Sequence, residues 1–298
     1  MLSYFLKKAL RRHDEKNNLK VKTLIREAIL ENATLTSTAA GVGNDKAHNI
    51  VVSLTSFDQR IDNLHICIES LFQQSLKADK IVLWLSRKNF TNKKLPENII
   101  RLQARGLSVE WVDDDIGPYK KIIYSLQAYP DELIITVDDD VLYPSDTIDM
   151  LYQSYLERPT AIHCHRAYTM PYSGNRLVNY QAWPLANNAS EPAYDIFPTG
   201  IAGVLYFPGC FDKEVANQAM FMRLCPNADD VWLKAMSLKA GTKVYKVNDS
   251  RPWKDRFLTV PNSQDASLKR LNWSKKHGND EKIAAVFDHY QLYEYLHK

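Results

Sequence analysis

The run Asp138-Asp139-Asp140 follows directly on the apolar stretch Leu133-Ile134-Ile135-Thr136-Val137. Three adjacent carboxylates repel one another, and at the end of a buried strand they cost stability unless a cation neutralises them. The pattern points to a metal and to phosphates. Asp138 and Asp140, two residues apart at a strand end, can converge on one ligand, with Asp139 behind them. The plainer reading is an acidic turn capping a helix that starts near Ser145.

A second acidic pair begins the segment Asp229-Asp230-Val-Trp-Leu-Lys-Ala-Met236, an apolar helix whose dipole favours negative charge in its first turn. Capping accounts for one carboxylate and leaves the other over. Between the two acidic blocks, Thr199-Gly-Ile-Ala-Gly-Val-Leu-Tyr-Phe-Pro-Gly209 reads as a strand containing Gly200 and Gly203. Glycine weakens a strand, so its presence there lets a ligand approach the backbone.

Residues suited to a nucleotide lie upstream. Thr55 and Ser56 offer hydroxyls and backbone groups at the end of the first strand, and Arg60 begins the next helix within reach of a base or phosphate. Asp113 to Asp115 could hold a base or ribose. Lys120 and Lys121 stand at a helix start, where free backbone amides also welcome phosphate, although a solvated lysine pair is the commoner arrangement. Trp232, with Trp183, Tyr180 and Tyr194, offers rings on which sugars stack, against the ordinary use of such aromatics in a core. His163 and His165 share a strand face and read as sheet side chains; His277 lies in a polar tail and could add a metal ligand.

The elements that must position these groups alternate. Strands are expected at 50–54, 80–85, 107–112, 133–137 and 161–166, and helices at 60–74, 96–102, 119–128 and 146–156. Strand and helix in alternation imply an α/β fold with a mostly parallel sheet and helices on both faces. Ligands of such sheets sit outside the carboxyl ends of the strands, where Thr55-Ser56, Asp113 to Asp115 and Asp138 to Asp140 all emerge. The segment from 168 to 199 reads as a long loop-rich wall.

The 298 residues, 45% hydrophobic, can bury one large domain, and a net charge of +3 gives no bulk attraction for nucleic acid. Four dispersed cysteines without a CxxC pair fit buried thiols in a reducing cytoplasm. No stretch has the apolar length of a membrane span or the pattern of a signal peptide. Residues 1–47 form a helical extension and linker, with one helix over 1–10 and another over 19–30. Leu2, Phe5, Leu6, Ala9 and Leu10 beside Lys7, Lys8, Arg11 and Arg12 make residues 1–16 a basic amphipathic segment suited to an anionic membrane surface. A catalytic domain over 48–260 and a tail over 261–298 complete the expected layout. The final helix, 280–297, packs on the domain or on another copy of the chain.

In their order, Thr55-Ser56, the block Ile134-Ile-Thr-Val-Asp-Asp-Asp-Val-Leu-Tyr-Pro144, the glycine-bearing strand and Asp229-Asp230-Val-Trp resemble a bacterial GT-A-fold glycosyltransferase. The similarity is to the family 2-like enzymes of capsule, lipopolysaccharide and related surface-glycan assembly, over roughly residues 49 to 247. The second strand departs from that pattern, since Leu85-Ser86-Arg87 lacks the acidic residue that often holds the base. The resemblance implies a nucleotide-diphosphate sugar donor, a glycan or lipid-linked glycan acceptor, and Mn²⁺ or Mg²⁺ held by Asp138 and Asp140, with Asp138 also facing the ribose. It implies Asp230 as the base of an inverting transfer, Asp229 as its neighbour, and a sugar-binding wall at Gly200, Gly203 and Trp232. Location follows as cytoplasmic, on the inner face of a membrane. An aspartate-nucleophile phosphatase, which also ends an apolar strand in Asp-x-Asp, is the alternative; its nucleophile strand opens the fold, whereas here three strand-helix units come first. A non-catalytic glycan-binding scaffold is the other.

Overall fold

The computed structural model describes residues 2–43, 45–90, 94–174, 176–186, 190–260, 263 and 278–297. Short runs rich in Val, Ile and Leu form the central sheet: β1 (Ile50–Thr55), β2 (Lys80–Ser86), β3 (Leu107–Val112), β4 (Leu133–Thr136), β5 (Ala161–Cys164), β6 (Val204–Tyr206) and β7 (Lys243–Lys246). They lie in the order β7-β5-β6-β4-β1-β2-β3. Six strands run parallel; β6 is antiparallel to both its neighbours, β4 and β5. The α/β class and the mostly parallel sheet expected from the alternating pattern are what the structure shows.

The helices are α1 (Leu2–Thr36), α2 (Leu64–Phe72), α3 (Glu97–Gln103), α4 (Lys120–Ala128), α5 (Thr147–Glu157), α6 (Gln218–Leu224), α7 (Asp229–Lys239), α8 (Trp253–Arg256) and α9 (Asn279–Tyr290). Successive residues of a strand point to opposite faces, so each strand feeds two cores. Leu133 and Ile135 of β4 pack in the cluster built with α2, α3 and α5, while Ile134 packs with α4, α7 and α9. Both faces of the sheet are therefore covered, which is why β1, β2 and β4 read as continuous apolar runs rather than alternating ones.

Every residue of α2 is buried, Glu69 included. Arg105 makes that tolerable by gripping both Glu69 oxygens, at 2.6 and 3.2 Å. The same guanidinium donates from Nε to Ala39 O at 2.8 Å. Gly41 N–H reaches Arg105 O, and Gly43 N–H reaches Ala78 O. Any side chain at Gly41 would collide with the Phe72 ring, its Cβ falling 2.1 Å from Cγ. The segment read as a linker thus runs as a strap against the domain.

The structure corrects other boundaries. Two N-terminal helices were expected, and α1 is one helix of 35 residues, about 50 Å long. Glu15, Lys16 and Lys20, strong helix formers, carry it through the polar stretch that suggested a break. Leu30 and Thr34, near its end, are buried, and Glu31 meets His65 Nε2 at 2.5 Å. The expected helix at 60–74 shortens to α2 after a run of turns, and Gly200–Ala202 forms a single 3₁₀ turn before β6. Beyond α9 the last helix tightens into a 3₁₀ segment, Leu292–His297.

Candidate functional site

The chain steps outward from β1 through β2 to β3, then returns to lay β4 on the other side of β1. At such a reversal the connections leave in opposite directions and open a crevice at the carboxyl ends of the two strands. Ser53 of β1 is level with Thr136 of β4, so Thr55-Ser56 and Asp138 leave the sheet side by side. β6 runs the other way, which delivers the preceding turn, Gly200–Ala202, to this same edge.

Asp138, half-buried, accepts a 2.7 Å hydrogen bond from Lys121 Nζ. That nitrogen also lies 3.1 Å from Asp229 Oδ2, at the first turn of α7. Burial works against the Lys121 charge, but Asp138, Asp229 and Asp230 outweigh it and hold the ammonium well above its ordinary range. Asp230 is oriented by the Gly200 N–H, at 3.1 and 3.3 Å from its two oxygens. Burial first, then the Asp229 charge, push its carboxyl up to about 8.

Gly200 stands among these groups. A Cβ there would lie 3.2 Å from Lys121 Nζ, 3.3 Å from Asp230 Oδ1 and 3.5 Å from Asp138 Oδ1. A side chain there would press on Lys121 Nζ and Asp230 Oδ1, each of which would have to give by a few tenths of an ångström, and would touch Asp138 at ordinary contact distance.

Asp139 faces elsewhere. It accepts from Ser56 Oγ at 2.6 Å and from Arg60 Nη1 at 2.5 Å, and burial still raises its carboxyl against those donors. Arg60 Nη1 is also 3.3 Å from Asp140 Oδ2. Burial, then Asp138 and Asp139, lift Asp140 to about 7 against the opposing charges of Arg60 and Lys121. Ser56 and Arg60 therefore fix the acidic turn, and the Thr55 hydroxyl donates to Trp84 O at 2.8 Å.

A second cluster sits at the end of β3. Lys120 is buried and pairs with Asp115, which also accepts from Asn89 Nδ2 at 2.9 Å. Burial opposes the Asp115 charge, but Lys120 and Asn89 hold it below the usual carboxylate range. Asp113 is 93% exposed and lies 3.3 Å from Arg87 Nε. Adjacent in sequence, Lys120 and Lys121 thus serve different carboxylates.

Two residues expected in a sugar-binding wall lie in the core. Trp232 is 0% exposed and its indole N–H donates to Val215 O at 2.8 Å, so it presents no face to a ligand. Gly203, at φ +94°, has Leu151, Thr147 and Val137 side chains around it. Trp183 and Tyr180 are buried against Phe197. His163 and His165 are buried, bonded to Arg158 O and Thr147 O at 3.0 Å each. Burial lowers both to about 4 and keeps them neutral. His277 lies outside the described residues.

Tyr143 was not anticipated. Fully buried, it accepts the Asp138 N–H at 2.8 Å and stands 3.2 Å from Ile201 O, tying the acidic turn to the glycine turn. Its position just after the triplet, in Val141-Leu142-Tyr143, was the available signal.

Among the described residues no group of three or more His, Cys, Asp and Glu side chains is placed to hold a metal. Asp138 and Asp140 are hard oxygen donors of the kind that bind Mg²⁺ or Mn²⁺ together with substrate phosphates and water, and the mutual repulsion of Asp138, Asp139 and Asp140 is what a bound cation would relieve.

No family model and no curated protein matches the chain. Solved structures do. The mannosyltransferase PcManGT from Pyrobaculum calidifontis, in complex with GDP-Man and Mn²⁺, is 11% identical with a TM-score of 0.42, over 78% of this chain and 64% of that one. A 4-diphosphocytidyl-2C-methyl-D-erythritol synthase is 11% identical with a TM-score of 0.45, over 76% of this chain and 99% of the other. Glucosyl-3-phosphoglycerate synthase from Mycobacterium tuberculosis, with Mn²⁺, UDP and phosphoglyceric acid, is 16% identical with a TM-score of 0.31, over 40% of this chain and 43% of that enzyme. The chain thus spans less than two thirds of the mannosyltransferase and less than half of the synthase from Mycobacterium tuberculosis.

Proposed function

We propose that this chain is a GT-A-fold glycosyltransferase that moves a sugar from a nucleotide-diphosphate sugar to a hydroxyl of a glycan or lipid-linked glycan. The reading rests on the meeting of Asp138, Lys121 and Asp230 around Gly200 at the reversal point of the sheet. An acceptor hydroxyl is far too weak an acid to ionise at neutral pH, so a carboxylate must take its proton as the new bond forms. Asp230 is suited to this: its raised proton affinity makes it a better base than an exposed aspartate, and the Gly200 N–H fixes its direction.

As the acceptor oxygen bonds to the anomeric carbon, the bond to the diphosphate oxygen breaks and its electron pair leaves with the nucleoside diphosphate. The acceptor proton passes to Asp230. One displacement of this kind inverts the anomeric centre. Lys121 brings a buried positive charge to the same edge, where it offsets the charge gathering on the leaving group. Asp138 and Asp140 would hold Mn²⁺ or Mg²⁺, whose chemistry is to neutralise the diphosphate. We assign Asp115, at the neighbouring strand end, to the ribose or base, with Lys120 paired to it. The setting we assign is bacterial surface-polysaccharide assembly at the cytoplasmic face of a membrane.

A thermal-shift screen of UDP- and GDP-sugars with and without Mn²⁺ tests the reading, because a ligand of the native state raises apparent stability with its affinity. A metal-dependent rise with one nucleotide supports it. No rise with any nucleotide, at concentrations up to several millimolar, removes it.

A further inference from the structure

Helix α1 has a face that nothing among the described residues covers. Leu30 and Thr34 turn inward and are buried, whereas Val21, Leu24, Ile25 and Ile29 on the opposite side are 53%, 48%, 56% and 51% exposed. Their spacing of three and four residues puts them on one stripe of the helix. Charge is concentrated on the same element. Of its 35 residues eight are Lys or Arg and four are Asp or Glu, giving α1 +4 when the whole chain carries +3; the remainder is therefore slightly acidic.

The two features occupy successive lengths of the helix. Residues 7 to 18, all exposed, hold the cluster Lys7, Lys8, Arg11, Arg12 and Lys16, and the apolar stripe follows from Val21. Lys20 and Lys22 flank the start of that stripe on either side. An anionic lipid surface matches both halves: headgroups attract the basic length, and the boundary with the acyl chains accepts the exposed Val, Leu and Ile side chains. A second copy of the helix matches only the stripe, since its own positive charge would oppose the pairing. No helix among the described residues is long and apolar enough to cross a membrane.

We infer that α1 is a peripheral membrane-docking helix, lying along an anionic lipid surface on its Val21-Leu24-Ile25-Ile29 face with its basic first half against the headgroups. Sequence patterning alone placed this contact within residues 1–16; the structure extends it along the outward face to Ile29. The strap at 39–43 then holds the domain close to the surface. This inference does not depend on the catalytic reading.

Sedimentation of the full-length protein with phosphatidylcholine vesicles, with and without about one third phosphatidylglycerol, tests it. The protein should pellet with the anionic vesicles and stay in solution with the neutral ones, and the binding should weaken at least tenfold between 50 and 500 mM salt. The triple change Val21→Gln, Ile25→Gln and Ile29→Gln should cut the partition at least tenfold while circular dichroism and thermal unfolding stay unchanged. Lys7→Gln with Lys8→Gln and Arg11→Gln should do so separately. Absence of pelleting with anionic vesicles overturns the inference. So does a stable dimer in light scattering that the triple change splits, which would assign the stripe to a second copy.

Discussion

Lys121 Nζ lies 2.7 Å from Asp138 Oδ1 and 3.1 Å from Asp229 Oδ2, so one buried ammonium joins the end of β4 to the start of α7. Lys121→Met leaves those carboxylates and Asp230 facing one another with no cation between them. Breaking a buried pair from one side costs about 3–5 kcal/mol. The urea midpoint should fall accordingly, and Lys121→Arg should restore it only in part, because a planar guanidinium does not reproduce the contacts of a compact ammonium with Asp138 and Asp229. A midpoint unchanged in Lys121→Met would mean that the ammonium does not hold this edge together.

Gly200 and Gly203 should fail differently. In Gly200→Ala the new methyl crowds Lys121 and Asp230 without backbone strain, so turnover should drop at least tenfold while stability holds. Gly203→Ala has ordinary space but sits at φ +94°, a strain of about 1–3 kcal/mol. It should unfold earlier and keep its activity per folded molecule. Activity assays beside denaturant curves separate the two; the same phenotype in both would discard the distinction.

Asp230→Asn should slow turnover by about 10² to 10⁴ and spare nucleotide affinity, since only the proton transfer is touched. In the native enzyme Asp230 must be ionised to act as a base. With burial first, then Asp229, raising its proton affinity and Lys121 opposing them, the rate should decline as pH falls below about 8. A pH-rate profile flat from 6 to 9 would move the base elsewhere.

His163 and His165 make stability depend on pH. Burial lowers each from 6.5 to about 4, so between these values the unfolded chain binds more protons than the native one. Their contribution is complete above about pH 6.5 and diminishes as pH falls towards 4, by at most about 3 kcal/mol for each ring. Stability of His165→Gln measured across pH 4.5 to 7 should show a shallower slope than the native protein. An identical slope would locate the acid sensitivity in other groups.

Much of the fold was legible because buried parallel strands are written as unbroken apolar runs, as in Leu133 to Val137. The acidic triplet was legible for the same reason, its charge being conspicuous after such a run. Lys121 was singled out, but its burial was not legible: a lysine on a helix start looks solvated, and only the return of β6 and α7 to the same edge, far along the chain, shows that it is enclosed. Ser56 and Arg60 were singled out, but their attachment to Asp139 is a tertiary fact without local trace. Trp232 misled because an aromatic near an acidic pair has the same pattern whether it lines a cleft or fills a core.

The antiparallel strand β6 also governs the order of assembly. Its three residues are the sole splice, among the described residues, between the β3-β2-β1-β4 half of the sheet and the β5-β7 half. On a growing chain β4 and β5 exist before their common neighbour, so the first half waits with a bare edge and β5 has nothing to pair with. Folding must close long loops before it gains these contacts, and an uncovered strand edge in the interim is a point of self-association. Nascent chains stalled before residue 204 should therefore be the ones that depend most on a chaperone.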